Sequence, residues 1–221
     1  MQVSVLIPTK DEPYINTLIK ELHESLNPWR HEIIVIDKSH TVPEIQDAKL
    51  VIQESDGLGN AVLEGLEHAH GNVIVLMDGD GSHRPVDVPK LLEKIGEYDI
   101  VIGSRFISGG KTEDKTHRRI ISWFFRMIAN CILNLDVTDP MSGFSAVKRS
   151  VYESLNLRPL GYKINMEIMF KGKKKGYKVH EVPIIFLGRQ AGKSKVGISW
   201  AGLAEGFRII RYVFELKLGL R

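Results

Sequence analysis

The sequence predicts an α/β fold, a single domain built on a mostly parallel sheet flanked by helices. Three observations point there. Short apolar runs, of which Val73-Ile-Val-Leu-Met77 is the clearest, alternate along the chain with segments of helical apolar spacing. The residues that follow those runs are polar or charged, which suits a ligand seated beyond the carboxyl ends of parallel strands. A chain of 221 residues with 43% apolar content can also bury one substantial core.

The elements follow in order. Residues 3–7 read as a buried strand that stops at Pro8. Residues 15–26 place Ile15, Leu18, Ile19, Leu22 and Leu26 on one face of a helix. Residues 32–36 form a second strand, ending in Asp37, and 50–53 a short third. A helix over 59–70, a strand over 73–77, a helix over 86–95 and a strand over 100–103 continue the alternation, the last running into Ser104 and Arg105. Residues 109–115 are polar and expected to be mobile. Residues 119–135 read as a helix whose polar stripe, Ser122, Arg126, Asn130 and Asn134, repeats every four positions beside Trp123, Phe124, Phe125 and Met127. A helix over 165–175 ends in three lysines, a strand covers 179–186, and the segment beyond it is basic and rich in glycine. Near the C-terminus, Trp200, Leu203, Phe207, Ile210 and Phe214 recur at helical spacing, with Arg208, Arg211 and Lys217 off that stripe. Such a helix lies in a membrane interface, covers the sheet or docks on a partner.

Composition excludes several classes. The net charge of +3 marks no nucleic-acid binder, although Lys and Arg concentrate beyond residue 100, which suits an anionic partner. Cys131 is the sole cysteine, so no internal disulfide forms, and its apolar helical setting predicts an inert core residue in a reducing compartment. The N-terminus opens directly as a strand without signal-peptide form, and no uncharged apolar run is long enough for a transmembrane helix. Gly57-Leu-Gly59 fails the dinucleotide-binding pattern because Val62 occupies the third glycine position.

Asp78-Gly79-Asp80 is the most telling stretch. If the chain stays extended there, carboxylates two residues apart point the same way and repel unless a cation sits between them. Hard oxygen ligands suit Mg²⁺ or Mn²⁺, which commonly bind one or two carboxylates together with substrate phosphates. The pair therefore points to a nucleotide-diphosphate substrate; the plainer alternative is an acidic turn closing a strand.

Together the motifs resemble the family-2 inverting glycosyltransferases of GT-A (Rossmann-like) fold, and within them the dolichyl and other polyprenyl-phosphate mannose synthases and their glucosyl relatives. The resemblance spans almost the whole chain: Ile7-Pro-Thr-Lys-Asp-Glu12, Val35-Ile-Asp37, Gly57-Leu-Gly-Asn-Ala61, Met77-Asp-Gly-Asp-Gly-Ser-His83, Gly103-Ser-Arg-Phe106, Arg118-Arg-Ile-Ile-Ser122, Asp139-Pro-Met-Ser-Gly-Phe144, Met166-Glu-Ile168, Glu181-Val-Pro183 and Arg189-Gln-Ala-Gly-Lys-Ser-Lys195. It implies that residues 1–105 form a nucleotide-sugar-binding half, 106–199 an acceptor-binding half and 200–221 an amphipathic helix. Pro8, Lys10, Glu12, Asp37, Gly59, Asp78, Gly79 and Asp80 are then the donor-side residues, with Glu12 at a ribose hydroxyl and Asp37 beside the base. Asp78 and Asp80 are the metal ligands, with Ser82 at the third ligand position. Arg105, Arg118, Ser122 and Arg189 fall at acceptor-phosphate positions, and Ser194 and Lys195 in a loop over the donor. Asp139 is either a base or a residue that orders its turn or pairs with an arginine.

Three departures lie on the nucleoside side: Lys10 for an aromatic residue, Lys38 for a second acid after Asp37, and Asp56 for a basic residue. Guanine and uracil both stay open as the base. The expected reaction is transfer of a hexose, mannose from GDP-mannose, onto a polyprenyl (dolichyl) phosphate with Mg²⁺ or Mn²⁺. The alternatives are a glucosyltransferase using UDP-glucose, a relative with a soluble glycan acceptor, and a non-catalytic nucleotide-sugar-binding subunit of a membrane complex. Expected partners are the nucleotide sugar, polyprenyl phosphate, a membrane surface on its cytoplasmic face, and a membrane-anchored partner subunit.

Overall fold

Alternate residues of the first strand enter opposite cores, and this divides the molecule into three layers. Val3, Val5 and Ile7 pack into one apolar cluster and Leu6 into the other, as expected for a strand buried on both faces. The structure is a computed structural model that describes residues 1–113, 116–159, 161–188 and 200–220; of residues 116–118, 120, 121, 162 and 200–206 only the backbone is described.

In chain order the elements are β1 (Gln2–Thr9), α1 (Ile15–Leu26), β2 (Arg30–Asp37), β3 (Lys49–Ile52), α2 (Leu58–His68), β4 (Val73–Leu76), α3 (Val88–Lys94) and β5 (Ile100–Ser104). They continue as β6 (Lys111–Thr112), α4 (Thr116–Leu133), β7 (Ser145–Lys148), α5 (Arg149–Ser154), α6 (Ile164–Lys174), β8 (Val179–Pro183), β9 (Ile185–Phe186) and α7 (Trp200–Lys217). Among the described residues the main sheet has seven strands in the order β3-β2-β1-β4-β7-β5-β8, and β6 pairs separately with β9. Helices α1 and α3 cover one face. Helices α2, α4, α5, α6 and α7 contribute to the core on the other. The apolar face of α1 is the one its spacing predicts: Leu18 and Leu22 are fully buried, each worth about 1.5–3 kcal/mol.

Among the described strands β7 alone runs against its neighbours, antiparallel to both β4 and β5. Sequence reading passed over β7, the short helix α5 and the two-residue β6. An inserted four-residue strand is too brief for a periodic signal, and residues 111–112 owe their strand form to β9 rather than to any pattern of their own. The predicted strand over 179–186 is broken between Pro183 and Ile185, where the chain leaves β5 and joins β6. The helix expected over 86–95 begins with a 3-10 turn, Pro85–Asp87, closed by the Val88 amide on the Pro85 carbonyl, since Pro89, the residue that would close an α-helical turn there, has no N–H.

The reversal of β7 positions the site. Its amino end, Ser145, pairs with Leu76 at the end of β4 and with Ile102 of β5. The segment before it, 139–144, is therefore delivered to the edge where the parallel strands release Asp78 and Arg105.

On the α4 side, α7 buries Ile209, Tyr212, Val213 and Leu216, and the Tyr212 hydroxyl donates to the fully buried Glu167 at 2.8 Å. Glu167 also accepts from Lys171 Nζ at 2.6 Å and from the Arg158 amide at 2.8 Å. The lysines that end α6 are occupied with carbonyls: Lys173 with Leu135 at 2.6 Å and Lys175 with Ser154. Cys131 is exposed, contrary to the core position expected of it, because α4 turns Ala129 and Leu133 inward and Cys131 lies on the outer side. Among the described residues no helix is long and apolar enough to cross a membrane.

Replacing Tyr212 by Phe removes a bond to a buried carboxylate while keeping the ring. The expected loss is about 1–3 kcal/mol of folding free energy, read as a lower urea midpoint with unchanged slope.

Candidate active site

Beyond the ends of β4 and β5 lies a cavity of about 120 Å³ whose described lining includes Leu58, Asp78, His83, Arg105, Gly143 and Phe186. That volume suits a phosphate group better than a whole nucleotide sugar.

The acids come first. The strand ends at Leu76, so Gly79 and Asp80 sit in a turn and the extended geometry expected of the pair does not hold. The two carboxylates consequently differ. The Asp78 side chain is 36% exposed and faces the cavity. Asp80 is buried, and its Oδ1 accepts from the Ser82 amide at 3.0 Å and hydroxyl at 2.5 Å. Ser82 thus stands behind Asp80 and orients it, with almost no exposure of its own, where a third metal ligand was expected. Gly79 packs on β1, since a Cβ there would lie 2.6 Å from Thr9 Cγ2. Gly143 leaves room beside Asp78, where a Cβ would lie 3.3 Å from Oδ2.

These features fit a divalent cation of the Mg²⁺ or Mn²⁺ type. The donor set is hard oxygen, and one carboxylate opens on a cavity of phosphate size. Among the described residues no cluster of three or more His, Cys, Asp or Glu forms a closed cage, so such an ion completes its shell from water and substrate, as these metals do.

His83 was passed over by sequence reasoning, although it ends the Asp78 motif. Its ring stacks on Phe144 with centroids 5.0 Å apart and meets Phe186 edge-on at 5.3 Å. The Asp78 amide donates to Nδ1 at 3.2 Å. Burial pushes the His83 pKa down more strongly than Asp78 and Asp80 pull it up. The imidazole is therefore neutral with its proton assigned to Nε2, and the 3.7 Å approach of Nδ1 to Asp78 Oδ2 is no ion pair.

Asp139 has no exposure and is gripped by Arg105: Nε to Oδ2 at 2.7 Å, Nη2 to Oδ1 at 2.9 Å, with the Arg105 amide adding a third bond at 3.2 Å. This is the bidentate fork that matches guanidinium to carboxylate. Of the two sequence readings of Asp139, the arginine partner is the one the geometry supports. Arg105 in turn lies against the rings of Phe106 and Phe186, each 5.1 Å from its Cζ.

The donor-side residues are more scattered. Pro8 pairs with Ile36 inside the sheet. Asp37 is buried and accepts from Thr9 Oγ1 at 2.8 Å and from the Ser39 hydroxyl at 2.7 Å, which braces the ends of β1 and β2. Lys38 Nζ donates to the carbonyls of Gln53, Glu54 and Ser55 at 3.3, 2.8 and 2.9 Å. Lys10 is exposed and Glu12 half-buried on the loop after β1. Gly59 is in the first turn of α2 against Pro159 and Gly161, where a Cβ would meet Pro159 Cβ at 2.4 Å. Ser122 is half-buried on α4. The Arg118 side chain, Arg189, Ser194 and Lys195 lie outside the described residues.

The sheet order, with its single reversed strand and an acid pair after the fourth strand, is that of the GT-A glycosyltransferase fold. Residues 4–155 match the family described as Glycosyl transferase family 2, and the chain belongs to that family. A dolichol-phosphate mannosyltransferase of Pyrococcus furiosus is 38% identical over 211 residues, covering 89% of this chain and 59% of that protein. An undecaprenyl-phosphate mannosyltransferase of Micrococcus luteus is 37% identical over 149 residues, covering 64% of this chain and 61% of its own length. The dolichol-phosphate mannosyltransferase of Saccharomyces cerevisiae is 30% identical over 240 residues, covering 98% of this chain and 86% of that protein. The chain thus spans about three fifths of the first two relatives. Among solved structures, glucosyl-3-phosphoglycerate synthase from Mycobacterium tuberculosis, in complex with Mn²⁺, UDP and phosphoglyceric acid, shares the fold with a TM-score of 0.71 at 20% identity, covering 99% of this chain and 78% of that one.

Truncating Asp139 to Ala strands the Arg105 charge at a largely buried position. The expected cost is about 3–5 kcal/mol, measured by chemical denaturation; an unchanged midpoint would show the fork to be dispensable.

Proposed function

We propose that this chain is an inverting glycosyltransferase that moves a hexose, mannose from GDP-mannose, onto a polyprenyl phosphate. The observation that carries the reading is the commitment of Asp139. The carboxylate placed to serve as a base has both oxygens on Arg105, and His83 Nδ1 accepts a hydrogen bond from the Asp78 amide. A sugar hydroxyl acceptor needs a base. A phosphomonoester does not, because its second pKa is about 6 and it is largely dianionic at neutral pH. The similarity to mannosyltransferases named for dolichol phosphate and undecaprenyl phosphate supports the same acceptor class.

In this reading residues 1–105 serve the donor and 106–199 the acceptor. A divalent ion held by Asp78 and Asp80 supplies Lewis-acid stabilisation of the departing diphosphate. Arg105, held in plane by Asp139 and the two phenylalanine rings, presents positive charge in the same cavity as Asp78. The resemblance assigns Arg118, Ser122 and Arg189 to the acceptor phosphate and Lys195 to the donor. The acceptor phosphate oxygen forms its bond to the anomeric carbon as the bond to the diphosphate breaks, so configuration inverts.

The experiment pairs GDP-mannose or UDP-glucose with polyprenyl phosphate and Mn²⁺ or Mg²⁺. Mannosyl lipid of inverted configuration by NMR is expected from GDP-mannose alone. Retained configuration, or glucosyl lipid only, overturns the mechanism or the donor respectively. Asp80→Ala is expected to abolish transfer, and Arg118→Ala to raise the KM for the lipid above all.

A lipid acceptor requires contact with a bilayer. On α4, Trp123, Phe124 and Met127 are 52%, 49% and 51% exposed, and on α7, which packs against α4, Phe207 is 73% exposed beside exposed Arg208 and Arg211. Helix α7 thus covers the core with one face and offers aromatic and basic groups on another, the combination that binds anionic membrane surfaces. We assign the protein to the cytoplasmic face as a peripheral enzyme, with a membrane-anchored partner subunit as a further tether. The protein is expected to float with anionic liposomes at low salt, and the double change Trp123→Ala, Phe124→Ala to weaken flotation; no flotation of the parent protein refutes the docking face.

A further inference from the structure

We propose that Glu181 is a positioning residue that sets the orientation of Arg105 through the turn at residues 138–139. The proposal rests on the glycosyl-transfer reading for its kinetic consequence and on geometry alone for its physical claim.

Glu181 is on β8, an edge strand, where its register partner is Ile102 of β5. The hydrogen bonds described for its carboxylate all go to the turn that carries Asp139. Oε2 accepts from the Thr138 amide at 2.7 Å, and Oε1 accepts from the Thr138 hydroxyl at 2.9 Å and the Asp139 amide at 2.9 Å. Three donors thus converge on two oxygens. An ionised carboxylate satisfies this arrangement, whereas a side-chain amide would set its own N–H groups against backbone N–H.

The other polar atoms of the turn are held as well. Arg126 Nη1 donates to the Thr138 carbonyl at 2.8 Å, Asn130 Nδ2 donates to the Val137 carbonyl at 2.5 Å, and the Ser104 and Thr138 hydroxyls lie 2.8 Å apart. The Arg126 guanidinium stacks on Phe106 at 3.5 Å, and the same ring lies against Arg105. Arg105 and Arg126 face Asp139 and Glu181, so the cluster is a balanced set of two cations and two anions drawn from the residue after β5, α4, the turn and β8.

The consequence runs in one direction. Glu181 fixes the two amides of the turn, the turn fixes the Asp139 carboxylate, and that carboxylate fixes the plane of the Arg105 fork in the cavity. A brace for the sheet would instead bond within β8 or to β5. A change at Glu181 should therefore misaim Arg105 more than it unfolds the protein.

The test compares Glu181→Gln, Glu181→Asp and Thr138→Val with the parent in ¹⁵N-labelled form. The Arg105 Nε–H resonance, assigned by its loss in Arg105→Lys, is expected to be protected from exchange in the parent and to lose that protection in Glu181→Gln. In transfer assays kcat of Glu181→Gln is expected to fall about 30-fold with donor KM within about threefold, the size of effect seen when supporting residues around a site are removed. Glu181→Asp retains the charge and should recover part of the loss. Thr138→Val removes one donor of three and should show a smaller effect of the same kind. An unaltered Nε–H signal in Glu181→Gln, or a loss of kcat no larger than the loss of folded protein, overturns the proposal. If the parent transfers no hexose yet the resonance responds as expected, the positioning claim stands and the proposed reaction falls.

Discussion

A carboxylate removed from water needs partners that offset the loss, and the architecture around the site follows from the way Asp139 finds Arg105. The fork uses two of the three guanidinium nitrogens and holds the group in one plane. Phe106 and Phe186 flank it, so its rotation is limited by packing as well as by hydrogen bonds. A guanidinium prepared in this way loses little freedom when an anion arrives, which is the condition for electrostatic stabilisation without reorganisation. Such a pair is weak evidence for stability in itself, because the cost of drying two charges can match their attraction. Its value here is directional.

Topology makes the pairing possible. In an all-parallel sheet the loop before a strand emerges at the opposite edge from the loop after it. Reversal of β7 between β4 and β5 places the 139–144 segment among the carboxyl ends, so that residues more than 30 positions apart in sequence, Arg105 and Asp139, meet across one strand width. The same reversal brings Gly143 against Asp78 and Phe144 against His83. Strand β9 then closes the side, with the Leu187 amide donating to the Ser82 carbonyl at 2.9 Å, so the turn that follows Asp80 is tied to the segment after β9.

Much of this was legible in advance. The apolar face of α1, the five parallel strands up to Ser104 and the motifs that mark the family follow from local patterns, and the structure keeps them within a residue or two. What was not legible depends on pairs distant in the chain. No periodicity announces a four-residue reversed strand, and nothing local says that Glu181 binds the amides of Thr138 and Asp139. The acids after β4 were recognised as a pair, but their unequal exposure comes from the strand ending at Leu76, one residue before the apolar run does, with Gly79 and Asp80 in a turn. The three lysines that end the predicted helix over 165–175 carried no assigned role in the sequence; Lys173 and Lys175 prove to cap carbonyls of neighbouring segments. That Asp37 also accepts from Thr9 and Ser39 is likewise announced by no local pattern.

One feature of α4 has a practical bearing. Phe124, Met127 and Cys131 follow one another at helical spacing, all exposed, and no other thiol exists in the chain. Nature has thus left a single chemical handle on the flank of the very helix whose aromatic side chains face outward. A nitroxide or a polarity-sensitive dye coupled there would sense immersion in hydrocarbon directly, with no engineered cysteine and no competing label elsewhere.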